Sequence, residues 1–545
     1  MKTTLLIFLS LILTFTNLQA QSAKRYIKIT RTYLNLPVQM SQERQIMKFL
    51  INNDTIRVFD IRLSNGDTDY WVFADVSEHI GKEITITYPQ KVAGFDKIYQ
   101  SDEIAGFDSL YKEKNRPRFH FTTRRGWNND PNGLVYYDGE YHLFYQHNPY
   151  EIFWGNMHWG HAISNDLIHW KELPDALYPD KLGTMFSGSA AVDFNNSSGF
   201  QSGTEKVIIA AYTADSKAKE VQCIAYSNDR GRTFTKYKDN PVIDSGKKWH
   251  TKNTRDPQIF WYKPTKKWIM VLFENNGNSI YTSPDLKNWT YESHVGGFHE
   301  CPQLFELPVD GDKTNKKWVM YGASGTYMIG DFNGKSFQVE GGKYRYTAGA
   351  LYAAQTYNDI PESDGRRIQI GWGRITQRNM PFNQMMLFPT ELSLRTTREG
   401  IRLFSEPIAE ITKLHGKEYK WPKLSKDQAD KAVKSVDSDL LHVKMKVKVV
   451  QGGHFKILLD GNTIVDYDFN FNKFNGNFYG GDRIENLTIP LELLIDRTSV
   501  EVFVDHGRFS TSALREVPKA GMRGLGFSGA IDIYDLEIYE MKSVW

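Results

Sequence analysis

"GWNNDPNGLVYYDGEYHLFYQHNP", residues 126–149, sets Trp127, two asparagines, Asp130, Pro131 and a third asparagine in front of a run of alternating aromatics. The run reads as a β-strand, because aromatic side chains at alternate positions fit a pleated, half-buried surface. Asp130 therefore stands at the mouth of a strand. In most chains a carboxylate in such a setting caps a turn. The rest of the sequence decides whether Asp130 does more.

Residues 120–400 contain a recurring pattern: "AISNDLIHW" (162–170), "AYSNDRGRTF" (225–234), "YTSPDLKNW" (281–289) and, more weakly, "IGDFNGKSF" (329–337). Each is a strand end, a polar turn with an aspartate, and an aromatic that opens the next strand. The spacing suits a four-stranded sheet plus its loops, which is one blade of a β-propeller. A second series runs in step with it: Asp130, Ser187 in "MFSGSAAV", Asp256 in "TRDPQIFWY", Glu300 in "HECPQLFEL" and Ala353 in "ALYAAQTY". This predicts five blades. The innermost strands of a propeller line its axis, so the fold would bring Asp130, Asp256 and Glu300 together from distant parts of the chain.

The flanking regions are also β in character. "RYIKITRTYL", "TDYWVFADV" and "KEITITYP" alternate at period two and predict a small β-domain over residues 21–112, with the propeller at 113–405. "LLHVKMKVKVV", "HFKILLD" and "LTIPLELLIDRTSVEVFVD" do the same in a tail read as a β-sandwich over 436–545. The polar, lysine-rich stretch at 406–435 reads as the linker between them. The expected fold class is thus all-β: a five-bladed propeller followed by a C-terminal sandwich, with a small additional N-terminal β-domain.

Composition narrows the function. The chain is 40% hydrophobic, 24% charged and 14% aromatic, the balance of a globular protein. A net charge of +3 and the lack of a basic tract argue against a nucleic-acid partner. The opening "MKTTLLIFLSLILTFTNLQA" has a lysine, an apolar stretch from Leu5 to Phe15 and a small residue at Ala20, the layout of a cleavable secretory signal over residues 1–20. No other stretch is apolar enough to span a bilayer as a helix. An exported protein, periplasmic or secreted, follows. Its two cysteines, Cys223 and Cys301, imply no disulfide framework.

Three carboxylates converging at one axis repel one another unless chemistry or a cation uses them. The local sequences lack the dense oxygen spacing of a calcium loop, and the histidines lack a helical H-x-x-x-H pair, so no metal is expected. Glycoside hydrolysis fits better. It needs one carboxylate as nucleophile, one carboxyl as acid/base and polar groups that grip sugar hydroxyls. Trp127, Trp154, Phe186 and Trp372 are candidates for apolar walls.

Taken together, "WNNDPNG", "FSGS", "RDP", "EC" and "IDRTSVEVFVDHG" resemble glycoside hydrolase family 32, the invertase, inulinase and levanase group. The resemblance covers residues 115–545 and implies a propeller followed by a sandwich, retention of anomeric configuration and no cofactor. It further implies that Asp130 is the nucleophile, Glu300 the acid/base and Asp256 the transition-state stabiliser. Asn129, Gln146, Trp154, Phe186, Ser187, Arg255 and Trp372 would then line the fructose subsite. An acid/base in that role should hold its proton more tightly than an ordinary carboxyl while Asp130 is ionised. Asn128 stands where the family usually has methionine, and Thr254 where it often has an aromatic. The implied substrate is a fructan (levan or inulin) or sucrose. Two rival readings remain: a non-catalytic fructan-binding protein on the same scaffold, and a five-bladed arabinoside or xyloside hydrolase.

Overall fold

The computed structural model describes residues 22–478 and 488–545, so the secretory signal read at residues 1–20 lies outside the described residues. The chain is all-β and divides into two compact units, Met1–Ala105 and Gly106–Trp545. No helix among the described residues is long and apolar enough to cross a membrane.

The first unit holds two antiparallel sheets. One has four strands in the order Ala23–Lys28, Glu83–Tyr88, Gln45–Ile51, Asp54–Ile61. The other has three, with Tyr33–Val38 between Tyr70–Asp75 and Tyr99–Ser101. Alternation sets the core: Leu34, Leu36, Met47, Phe49, Val72, Ala74, Ile84 and Ile86 are buried, and their sequence neighbours mostly face outward.

The second unit begins with three sheets built the same way, each an antiparallel meander running outward from its first strand. They start at Gly126–Tyr137, Thr184–Asp193 and Thr254–Tyr262. The recurring serine and aspartate form one local device at the end of each third strand: the hydroxyls of Ser164, Ser227 and Ser283 donate to Asp166, Asp229 and Asp285 at 3.2, 2.7 and 3.1 Å. In the weaker fourth copy Asn333 takes the aspartate's place and accepts the Lys335 and Ser336 amides.

Nine further strands form one sheet. The meander Gln303–Val309, Asp312–Tyr321, Thr326–Phe332, Phe337–Arg345 joins the strands Leu351–Thr356, Arg367–Gly373 and Thr390–Thr397 through a single parallel pair, Val309 with Leu394. Late in the chain, Phe382–Asn383 returns to pair with Gly126 and Trp127 of the first sheet.

Apolar layers fill the spaces between sheets. Phe144, Trp159, Met185 and Tyr212 pack between the first and second, and Ile209, Ile224, Trp268 and Met270 between the second and third. Leu134, Leu143, Ile368 and Ile370 pack the first sheet against the last strands. Buried amides and hydroxyls stitch the innermost strands along their length. Gln355 accepts the Leu134 amide at 2.8 Å and donates to the Gly188 carbonyl at 2.9 Å. Ser189 accepts the Ile259 amide, Gln258 the Leu304 amide and Gln303 the Thr356 amide. These side chains satisfy backbone groups that no ladder reaches.

The C-terminal strands form one sheet with two long strands, Leu441–Leu459 and Leu525–Met541, paired with register shifts between them. Residues 415–425, inside the stretch read as a linker, form a strand paired with Leu525–Met541. Lys417, Lys420 and Lys423 there are all exposed, which is why the segment looks polar in sequence. A capping box of Ser425 and Gln428 then starts a short helix, Lys426–Ala432. His120 ties this part to the preceding sheets, with its two ring nitrogens on Asp496 (2.8 Å) and Glu501 (2.7 Å).

Candidate active site

The matched positions coincide with irregularities in the innermost strands. Register shifts fall between Asn128 and Pro131, Met185 and Gly188, Arg255 and Gln258, and Tyr352 and Gln355. Asp130, Ser187, Asp256 and Ala353 each lie within one of them. Asp256, Glu300 and Ala353 have left-handed φ values of 63°, 53° and 50°. A bulge inserts an unpaired residue and turns its side chain out of the sheet's alternation, so strain at these positions aims side chains at a common point.

What meets there is a connected polar cluster. The Ser187 hydroxyl donates to Asp130 Oδ2 at 2.7 Å, and the Asn129 amide to Oδ1 at 3.1 Å. Asn129 is itself held by the Trp127 indole at 2.8 Å. Asp256 Oδ2 accepts the Cys301 amide at 3.0 Å, while the Cys301 thiol lies 3.6 Å from Asp130 and 3.4 Å from Asp256. Glu300 Oε1 takes two bonds from Arg255, at 2.6 and 3.2 Å, and Oε2 takes the Tyr352 hydroxyl at 2.6 Å. The structure thus gathers Asp130, Asp256 and Glu300 at one place, in two adjoining bonded groups: the aspartates with Asn129, Ser187 and Cys301, and Glu300 with Arg255 and Tyr352.

The aromatics form a rim. Trp372 lies edge-on to both Trp127 and Tyr352 with centroids 6.1 Å away in each case, and its indole donates to Gln384. Trp154 meets Phe186 edge to face at 5.9 Å. Gln146 is buried, with its amide on the Met185 carbonyl at 2.9 Å, so it supports the strand that carries Phe186 and Ser187.

The proton affinities differ from the sequence expectation. Burial raises Asp130 above the ordinary carboxyl range despite the bonds from Ser187 and Asn129. Burial also pushes Asp256 up to about 8, with the Asp130 and Glu300 charges adding to it and Arg255 opposing. Glu300 is lowered instead: burial works against its ionisation, but the Tyr352 and Arg255 bonds outweigh it. The inversion has a simple cause. Asp256 is buried and Asp130 and Glu300 are half-buried, but Glu300 collects the Arg255 guanidinium and the Tyr352 hydroxyl, whereas Asp130 has only the neutral donors Ser187 and Asn129 beside the Cys301 thiol.

Three participants were missed in the sequence. Tyr352 sits one position before Ala353, the non-acidic member of the matched series. Cys301 follows Glu300 directly. Glu220, at the start of the strand Glu220–Ser227, grips the far side of Arg255 at 3.1 and 3.2 Å. Only the first two carry a signal, adjacency to a matched position. Both cysteines are free and buried.

An all-β scaffold that holds enclosed carboxylates beside amides, hydroxyls and an aromatic rim is that of a glycoside hydrolase. A sequence model described as the glycosyl hydrolases family 32 N-terminal domain matches residues 120–407. A levanase of Bacillus subtilis (strain 168) is 41% identical over 485 residues, 79% of this chain and 71% of that protein. The extracellular exo-inulinase inuE of Aspergillus niger is 30% identical over 79% of this chain and 95% of its own length. Among solved structures, an exo-inulinase from Aspergillus awamori superposes with a TM-score of 0.69 at 28% identity, covering 80% of this chain and all of that one. The chain belongs to glycosyl hydrolase family 32.

Proposed function

We propose that the protein is an exported, retaining β-fructosidase that releases terminal fructose from fructans and cleaves sucrose. One observation carries the reading: Asp130, Asp256 and Glu300, far apart in sequence, lie close enough for the Asp130 and Glu300 charges to act on Asp256, with Cys301 bonded to Asp256 and near Asp130, and Arg255 bonded to Glu300. The names of the relatives, levanase and exo-inulinase, support fructan as substrate. The cyclic sequence of apolar layers supports counting the nine-stranded sheet as two blades, five in all.

In this reading Asp130 attacks the anomeric carbon of fructose, and Ser187 and Asn129 hold its carboxylate in line. Glu300 gives a proton to the departing oxygen and then takes one from water. Arg255 and Tyr352 favour ionised Glu300. A bound fructoside strips water from this acid and raises its proton affinity. Asp256 accepts hydrogen bonds from fructose hydroxyls, which tighten as the ring gains oxocarbenium character.

The test is thin-layer analysis of products from sucrose, inulin and levan, with wild type and Asp130→Ala side by side. Free fructose from the wild type as the first product, and none from the variant, supports the reading. An inert wild type that still binds fructan would favour the non-catalytic alternative.

A further inference from the structure

Arg255 is the one arginine bonded to the acid cluster among the described residues, and it serves two carboxylates. Its Nε and Nη2 face Glu300 Oε1, at 3.2 and 2.6 Å, while its Nη1 faces both oxygens of Glu220, at 3.1 and 3.2 Å. The guanidinium lies over the Phe273 ring at 5.3 Å, which restricts it to this plane. Glu220 is fixed from behind, with Oε2 accepting the Thr254 amide at 2.8 Å and its own carbonyl accepting the Thr254 hydroxyl at 3.1 Å. Glu220 is 9% exposed and contacts none of the acids directly. Its position lets it act on the site through Arg255 and through its own charge.

We propose that Glu220 is a positioning residue that shares Arg255 with Glu300, keeps the guanidinium on one oxygen of that acid, and so keeps the acid/base available to carry a proton. The inference rests on the assignment of Glu300 as acid/base. A planar guanidinium makes its strongest bonds when both arms of a fork engage one carboxylate. Here the Nε–Nη2 edge reaches only one oxygen of Glu300, Oε1, while Nη1 is committed to Glu220. Releasing it lets Arg255 turn fully onto Glu300, and removing the Glu220 charge also removes a repulsion that favours protonated Glu300. Both effects point the same way. The other groups facing Glu300 are Tyr352 across the site, His299 at 3.3 Å, Cys301 beside it in the chain, and Asp130 and Asp256 from neighbouring strands. None of them contacts Glu220.

The experiment is the pH profile of kcat/KM on sucrose and on an activated aryl fructoside for wild type, Glu220→Gln and Glu220→Asp. Gln keeps the shape and an acceptor for the Thr254 amide but loses the charge. With sucrose the high-pH limb, where the acid loses its proton, moves down by about one unit in Glu220→Gln. With the aryl fructoside, whose leaving group needs no proton, the profile stays in place. Glu220→Asp keeps the charge but draws it back, and moves the sucrose limb in the same direction by less. It carries the test if Glu220→Gln does not fold. An unmoved limb, or equal shifts for Gln and Asp, overturns the proposal. If Glu300→Ala loses as much activity on the aryl fructoside as on sucrose, the acid/base assignment fails instead, and the two failures are thereby told apart.

Discussion

Ser187 donates its hydroxyl to the carboxylate of Asp130 at 2.7 Å, bridging two strands whose residues are 57 positions apart. This bond lowers the proton affinity of an acid that burial otherwise raises. Ser187→Ala should therefore reduce kcat/KM about tenfold or more, the value of a hydrogen bond to a charged group. Activity needs ionised Asp130 and falls as pH drops through its pKa. Removing Ser187 raises that pKa, so the acid limb of the profile should move to higher pH. A drop in rate with an unmoved acid limb would show that Ser187 only packs.

The three acids should respond differently to removal. Asp130→Ala should abolish turnover on every substrate. Glu300→Ala should be partly spared on an aryl fructoside, because that leaving group departs without a proton. Asp256→Ala should lower kcat by about a hundredfold or more with a smaller change in KM, since its bonds strengthen in the transition state. Circular dichroism checks that each variant is folded. Near-normal kcat in folded Asp130→Ala would sink the assignment.

Much of this was legible in the chain because it repeats. The serine–aspartate turns mark the ends of three third strands, and the matched series Asp130, Ser187, Asp256, Glu300 and Ala353 marks the starts of inner strands, so both series follow from local patterns. Glu220 and Tyr352 were not legible. Nothing local distinguishes Glu220 from a surface glutamate, and only the fold places it behind Arg255. The same limit applies to Glu300: sequence shows an acid near other acids, but its lowered proton affinity depends on which donors the fold brings to it. The strand at 415–425 was hidden by its outward lysines. The merging of the last sheets rests on one long-range pair, Val309 with Leu394, which no periodicity announces.

Asn128 is fully buried, and neither polar atom of its amide has a partner among the described residues. Its usual family counterpart is methionine, an apolar side chain that fills irregular space. Asn128→Met should stabilise the fold by about 1–2 kcal/mol by removing an uncompensated buried amide. The measurement is the denaturation midpoint, with sucrose turnover as a control that the neighbouring Asn129 and Asp130 have not moved. A lower midpoint in the variant would refute the account.

His120 gives the fold a pH-dependent fastening. Its ring is fully enclosed, with Nδ1 on Asp496 and Nε2 on Glu501, and Asp496 also accepts the Arg118 and Phe119 amides. Burial alone would expel the proton, but the two carboxylates reverse this and raise the histidine to about 9, while Asp496 is held below its usual range. The sign follows from linkage. A group whose pKa is raised on folding stabilises fully below its unfolded value, near 6.5, and loses that contribution as pH climbs through the folded value, near 9. The contribution is on the order of 3 kcal/mol. His120→Gln keeps hydrogen-bonding capacity without the charge, so it should be less stable than wild type at pH 6, with the gap narrowing steadily towards pH 10. Asp496 adds an opposite dependence in acid, where its protonation loosens the same junction in wild type. Melting temperatures of both proteins from pH 5 to 10 provide the check. A gap that stays constant across this range would mean that His120 is held neutral and fastens the junction by shape alone.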